Sequence, residues 1–165
     1  MVIWPLGLGL LLLGSLIRLW AVRYCGKRTI YKTEKDKWLT VHGPYSYVRN
    51  PLYISNLLLG CGLIALSKLL WLIPIFAVVG LVYYHLIILF EESRLSGYYG
   101  TDYETYIKNV GRWVPKLKSP ALDLSTHHPR INPWSEIFRA ERWRFSALIG
   151  VIILLTFKEY LANLI

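Results

Sequence analysis

The sequence predicts an all-α, polytopic integral membrane protein with about four transmembrane helices and a helical cytosolic cap. Three observations predict it. Of the 165 residues, 55% are hydrophobic and only 18% charged, the apolar excess of a small membrane protein built as a single domain over 1–165. The apolar residues gather into runs at Val2–Val22, Pro51–Leu66, Leu69–Phe90 and from Phe145 to the C-terminus, lengths at or just under a bilayer crossing. The cations lie between the runs: seven Lys or Arg from Arg23 to Asn50 and nine from Glu91 to Arg144, against Lys68 alone in the middle turn. By the positive-inside rule both long loops face the cytosol, and the two chain ends lie outside.

The first run is interrupted only by Ser15 and Arg18. It lacks the charged start and small-residue cleavage site of a secretory signal, so it is expected to remain as a transmembrane helix. Pro51 lacks an N–H and suits the first turn of the second helix, with Asn50 as its cap. At 16 residues that span is roughly 24 Å long. Trp20, Trp71 and Trp143 stand where an indole anchors at an interface. After Glu92, Tyr99-Gly100 is expected to end one element and Thr101-Asp102-Tyr103-Glu104 to open another with capping-box spacing. Trp113-Val114-Pro115 is expected to end that short cytosolic helix. Residues 116–165 then read as a cytosolic linker, an interfacial helix starting at Asn132-Pro133, and the last span. Glycines 7, 9, 60, 62, 80 and 150 permit close helix approach.

A net charge of +9 raises the question of nucleic acid. Its confinement to blocks beside apolar runs points to membrane lipids instead, and no nucleic-acid partner is expected. Cys25 and Cys61 share no spacing of a metal site or disulfide framework. His127-His128 lacks a third ligand and reads as loop, so no metal is expected.

The candidates for chemistry are few. Glu91 and Glu92 fall at a helix end already negative by its dipole, so a cationic partner or ligand is implied; a solvated helix end is the competing reading. Arg49 faces the same side and complements them, or else anchors a headgroup. His85 lies two turns before Glu92, at membrane depth, as either a functional or a satisfied core histidine. The hairpin between the two clusters returns the chain to its starting side. Gly43–Tyr53 and Glu91-Glu92 can therefore build one site.

The segment Gly43-Pro44-Tyr45-x-Tyr47-x-Arg49-Asn50-Pro51-x-Tyr53, followed by Glu91-Glu92-x-x-Leu95-x-x-x-Tyr99-Gly100-x-x-Tyr103-x-x-Tyr106, resembles the isoprenylcysteine carboxyl methyltransferase-like and phospholipid methyltransferase superfamily of membrane enzymes. Val110, Arg112 and Pro115 fit its usual ending. The resemblance covers 37–115 and implies a methyltransferase core with an S-adenosylmethionine site at the cytosolic membrane face. By position it implies that Lys37, Trp38, Leu39, Thr40, Tyr45, Asn50, Pro51, Leu52, Tyr53, Glu91 and Glu92 hold the cofactor. Arg49 or His85 is expected to orient an amphipathic or lipid-like acceptor, whose reacting group is a carboxylate, thiol or amine. Asn50 stands where members acting on prenylcysteine carry His, so the cofactor site carries over better than the substrate. A membrane reductase of the sterol reductase type using NADPH, and a non-catalytic scaffold, are the alternatives. The oligomeric state is not legible in the sequence.

Overall fold

The structure is a computed structural model and describes residues 3–25, 39–120, 122 and 131–162. Among the described residues four α-helices follow one another, α1 Ile3–Cys25, α2 Pro51–Leu66, α3 Leu72–Asn109 and α4 Trp134–Ala162, with a 3₁₀ turn at Gly43–Ser46 before α2. No strand is formed among the described residues; Val48 and Gly111 make an isolated parallel bridge. The helices α1 and α3 are long and apolar enough to cross a membrane. Leu12, Val78, Val79 and Phe90 stand exposed on their outer faces, surfaces suited to hydrocarbon rather than water.

The pair α1 and α2 packs backbone to backbone because small residues face each other. A Cβ at Gly14 would lie 3.1 Å from the Ser55 carbonyl oxygen, and one at Gly62 would lie 3.0 Å from that of Gly7. These two places lie seven residues apart on each helix, two turns, so the close seam runs along most of the pair. Gly60 and Gly80 receive Phe76 and Leu57 across the α2–α3 contact, whereas Gly9 and Gly150 face open space. Only some of the glycines expected at close approaches are therefore used that way.

The helix α2 starts at Pro51 and ends at Leu66, the bounds expected from its proline and its apolar run. Asn50 makes no capping bond; its side chain instead donates to the Arg112 carbonyl at 3.2 Å. The reversal at 67–71 places Lys68 at φ 64°. The third apolar run and the short element expected after Tyr99-Gly100 form one helix, broken at Gly100 with φ 50° and ψ −125°. That conformation is nearly closed to residues with a Cβ. Gly100→Ala is expected to cost about 1–3 kcal/mol and to lower the thermal midpoint without altering the helices before the break, read by circular dichroism.

Beyond the break, Tyr103, Tyr106 and Val110 turn inward on Leu39 and Val41 in a small buried cluster. The helix ends at Asn109, ahead of the expected Trp113-Val114-Pro115. Val110 swings to φ −122°, ψ 130°, which lets Gly111 pair with the strand-like segment at Val48. The two elements expected as an interfacial helix and a last span are one continuous helix, α4. Its start is tied to the end of α1: Asn132 donates its backbone and side-chain N–H groups to the Arg23 carbonyl, each at 2.9 Å, and the Arg23 guanidinium lies 4.6 Å from the Trp134 ring centroid. Near its other end Glu159 pairs with Lys68 from the α2–α3 reversal. The helix therefore runs alongside the α1–α2 pair from one end to the other.

Candidate active site

The hairpin of α2 and α3 brings its two polar ends together. Arg49, just ahead of α2, pairs through Nη1 with Glu92 Oε1 at 2.8 Å, and Arg112 pairs through Nη2 with Glu92 Oε2 at 2.6 Å. Arg112 Nε adds a second bond to Glu92 Oε1 at 3.1 Å, the two-pronged geometry a guanidinium offers a carboxylate. The backbone closes the same junction. Arg49 N–H donates to the Gly111 carbonyl and Lys116 N–H to that of Tyr47, both at 2.9 Å. The segment after α3 is thus laced to the segment before α2, and Glu92 is the carboxylate between two arginines.

Glu91 is placed differently. Among the described residues no Lys or Arg pairs with it; it accepts a hydrogen bond from the Tyr53 phenol, and Tyr53 stacks on Tyr84 with ring centroids 4.8 Å apart. Both glutamates line a cavity of about 220 Å³. On one side lie Leu39, Thr40 and Tyr45; on another Leu52 and Tyr53 from α2; on a third Leu95, Tyr103 and Tyr106 from α3. Burial pushes the Tyr45 phenol well above its ordinary value, and the adjacent Cys25 thiol adds to this. Burial likewise raises Tyr103, with Glu92 adding and Arg49 opposing, and it raises Tyr106. All three therefore remain neutral donors through the physiological range. Tyr106 uses its hydroxyl to hold the Tyr45 carbonyl at 2.8 Å, fixing the Gly43–Ser46 turn against α3.

The inner wall carries a second ionic network. Arg18 of α1 donates through Nε to Glu141 Oε2 of α4 at 2.6 Å, through Nη2 to Oε1 at 3.4 Å, and through Nη1 to Asn56 of α2 at 2.9 Å. Arg144 reaches Glu141 Oε1 at 2.8 Å. Arg18 and Glu141 are almost fully buried, at 7% and 3% exposure, so each depends on the other for its charge to be tolerated.

Comparison with known proteins decides the lineage of this arrangement. The model of the phospholipid methyltransferase family matches residues 2–102, well over half of the chain. The chain belongs to the phospholipid methyltransferase family. Among curated relatives, it is 30% identical over 114 residues to a protein-S-isoprenylcysteine O-methyltransferase of Schizosaccharomyces pombe, covering 67% of this chain and 48% of that protein. To the Tribolium castaneum protein of the same name it is 28% identical over 119 residues, covering 68% and 42%. To the cobalt-zinc-cadmium resistance protein CzcN of Cupriavidus metallidurans it is 30% identical over 105 residues, covering 64% and 45%. The chain spans about half the length of the curated relatives it matches. No solved structure matches it.

Of the residues expected to form a site in this phospholipid methyltransferase family chain, Leu39, Thr40, Tyr45, Arg49, Asn50, Pro51, Leu52, Tyr53, Glu91 and Glu92 all line the one cavity. His85 is half-buried on α3 and does not line it. Lys37, Trp38 and the His127-His128 pair lie outside the described residues. Three charged or polar residues line the cavity unforeseen, Arg18, Asn56 and Arg144, with Glu141 pairing behind two of them. The signal for them was Arg18 itself, since an arginine inside an apolar helix requires a carboxylate from some other helix.

Proposed function

We propose that the chain is an S-adenosylmethionine-dependent methyltransferase of the membrane, acting on an amphipathic or lipid-like acceptor with a carboxylate, thiol or amine as its reacting group. In this reading all four helices cross the bilayer and the cavity opens toward the cytosol. The observation that carries it is the division of labour between the adjacent glutamates. Glu92 is neutralised by Arg49 and Arg112, whereas Glu91 faces the same cavity with no ion pair to a Lys or Arg among the described residues, the exposed Arg94 acting on it only through longer-range charge. Two relatives bear the name of a methyltransferase, which supports the same conclusion.

The lining suits the proposed cofactor. A carboxylate flanked by tyrosine rings is the environment an ammonium or sulfonium cation favours, and Leu39, Leu52 and Leu95 offer apolar surface for a flat base. When bound, S-adenosylmethionine supplies an electrophilic methyl group. Glu91 would hold its cationic or ribose end, and Tyr45 and Tyr53 would flank it. Arg49, locked on Glu92, sets the position of the α2 start from which Asn50 to Tyr53 reach the cavity. The chain's main contributions are orientation and exclusion of water, because displacement at a sulfonium requires little acid or base assistance.

Thermal unfolding of the detergent-solubilised chain tests this. Saturating S-adenosylhomocysteine, at about 100 times its Kd, is expected to raise the midpoint by about 5–10 °C. Protection by NADPH alone would replace the conclusion with a reductase, and protection by neither would favour a non-catalytic scaffold.

A further inference from the structure

Tyr53 and Asn56 of α2 both line the cavity, three residues apart, so they step inward along the helix by about 4.5 Å. Tyr53 leads to Glu91. Asn56 leads to Arg18. One turn of α2 therefore separates an acidic place on the cavity wall from a basic one.

The basic place is not internally balanced. Two guanidiniums, Arg18 and Arg144, share the single carboxylate of Glu141, leaving one positive charge, which the half-exposed Arg144 carries at the cavity. Arg18 has committed Nε, Nη1 and Nη2 to Glu141 and Asn56. Arg144 engages Glu141 through Nη1, lines the cavity and retains about half of its surface. It is the member with donors to spare. A guanidinium with unused donors at a cavity wall can take an anionic oxygen group there, and its planar fork matches carboxylate or phosphate oxygens equally well.

We propose that this wall is a docking site for an anionic oxygen group, a carboxylate or phosphate, on the amphipathic acceptor. Arg144 is its direct donor, and Arg18 and Glu141 are positioning residues that hold Arg144 at the cavity. In calling the ligand an acceptor the proposal rests on the methyltransferase reading; the preference for an anion rests on the charge imbalance. Arg144 lies on α4, beyond the residues matched by the family model.

The test is binding of a fluorescent polyene fatty acid and its methyl ester to the full chain in neutral detergent, at a pH where the acid is ionised. The acid is expected to bind at least tenfold more tightly than the ester. Displacement by palmitate but not methyl palmitate assigns a carboxylate, and displacement by phosphatidic acid but not diacylglycerol assigns a phosphate. Arg144→Gln is expected to reduce the preference to less than twofold, and Arg144→Lys to keep part of it. Arg142→Gln, which removes a guanidinium lying instead over Trp143, is expected to keep all of it. Equal binding of acid and ester by the wild type, or a preference that survives Arg144→Gln, overturns the proposal. Titration of the same wild-type sample with S-adenosylhomocysteine separates the two readings: cofactor binding without anion preference sinks the docking site alone, and the reverse sinks the methyltransferase reading alone.

Discussion

Glu141→Ala is expected to destabilise the protein by about 3–5 kcal/mol, the range seen when one member of a buried ion pair is removed and the other is left behind. Glu141 is 3% exposed and is the carboxylate shared by Arg18 and Arg144. Its loss strands Arg18, itself 7% exposed, with Asn56 as its remaining partner. The penalty comes from the stranded charge rather than from lost attraction. Replacing both members by apolar residues of similar volume, Arg18→Met with Glu141→Leu, is therefore expected to recover most of the stability. Unfolding of the wild type and the two variants in urea and mild detergent measures this. A double variant no better than the single one would mean that the pair is not coupled as described.

The second large effect concerns the adjacent glutamates, which are expected to separate cleanly. Glu91→Gln should weaken binding of S-adenosylhomocysteine about 10–100-fold while leaving the fold intact, since it removes one charge-assisted interaction of about 1.5–3 kcal/mol from a group that makes no ion pair to a Lys or Arg among the described residues. Glu92→Gln should act mainly on stability, because Arg49 and Arg112 both lose their carboxylate. Isothermal titration paired with thermal unfolding distinguishes the two. Reversal of the pattern would move the cofactor-facing role to Glu92.

Much of this site was legible because local rules decided it. A proline lacking its N–H marked the start of α2, and Gly100 marked the break in α3 through a dihedral pair that other residues avoid. A hairpin of two apolar runs could end only where it began, which brought Arg49 to Glu92. Asn50 shows where local rules stop: its side chain was better satisfied across the junction, by the Arg112 carbonyl 62 residues away, than by the helix it precedes. The Arg18–Glu141 pair spans 123 residues, and no periodicity connects them. Arg18 stood out as a charge within an apolar run, but which carboxylate would answer it depended on α4 returning alongside α1. His85 was the opposite case. Its two-turn spacing from Glu92 made it a candidate, and that same spacing, about 10 Å along α3, leaves it beyond the cavity lining.

Irradiation of the full chain with methyl-tritiated S-adenosylmethionine, followed by peptide mapping, tests the central claim most directly. The account predicts ultraviolet cross-linking within the cavity lining, at the Tyr45–Tyr53 segment or around Glu91, suppressed by S-adenosylhomocysteine and unaffected by NADPH. Label confined to peptides outside that lining, or label that excess S-adenosylhomocysteine does not displace, would contradict it.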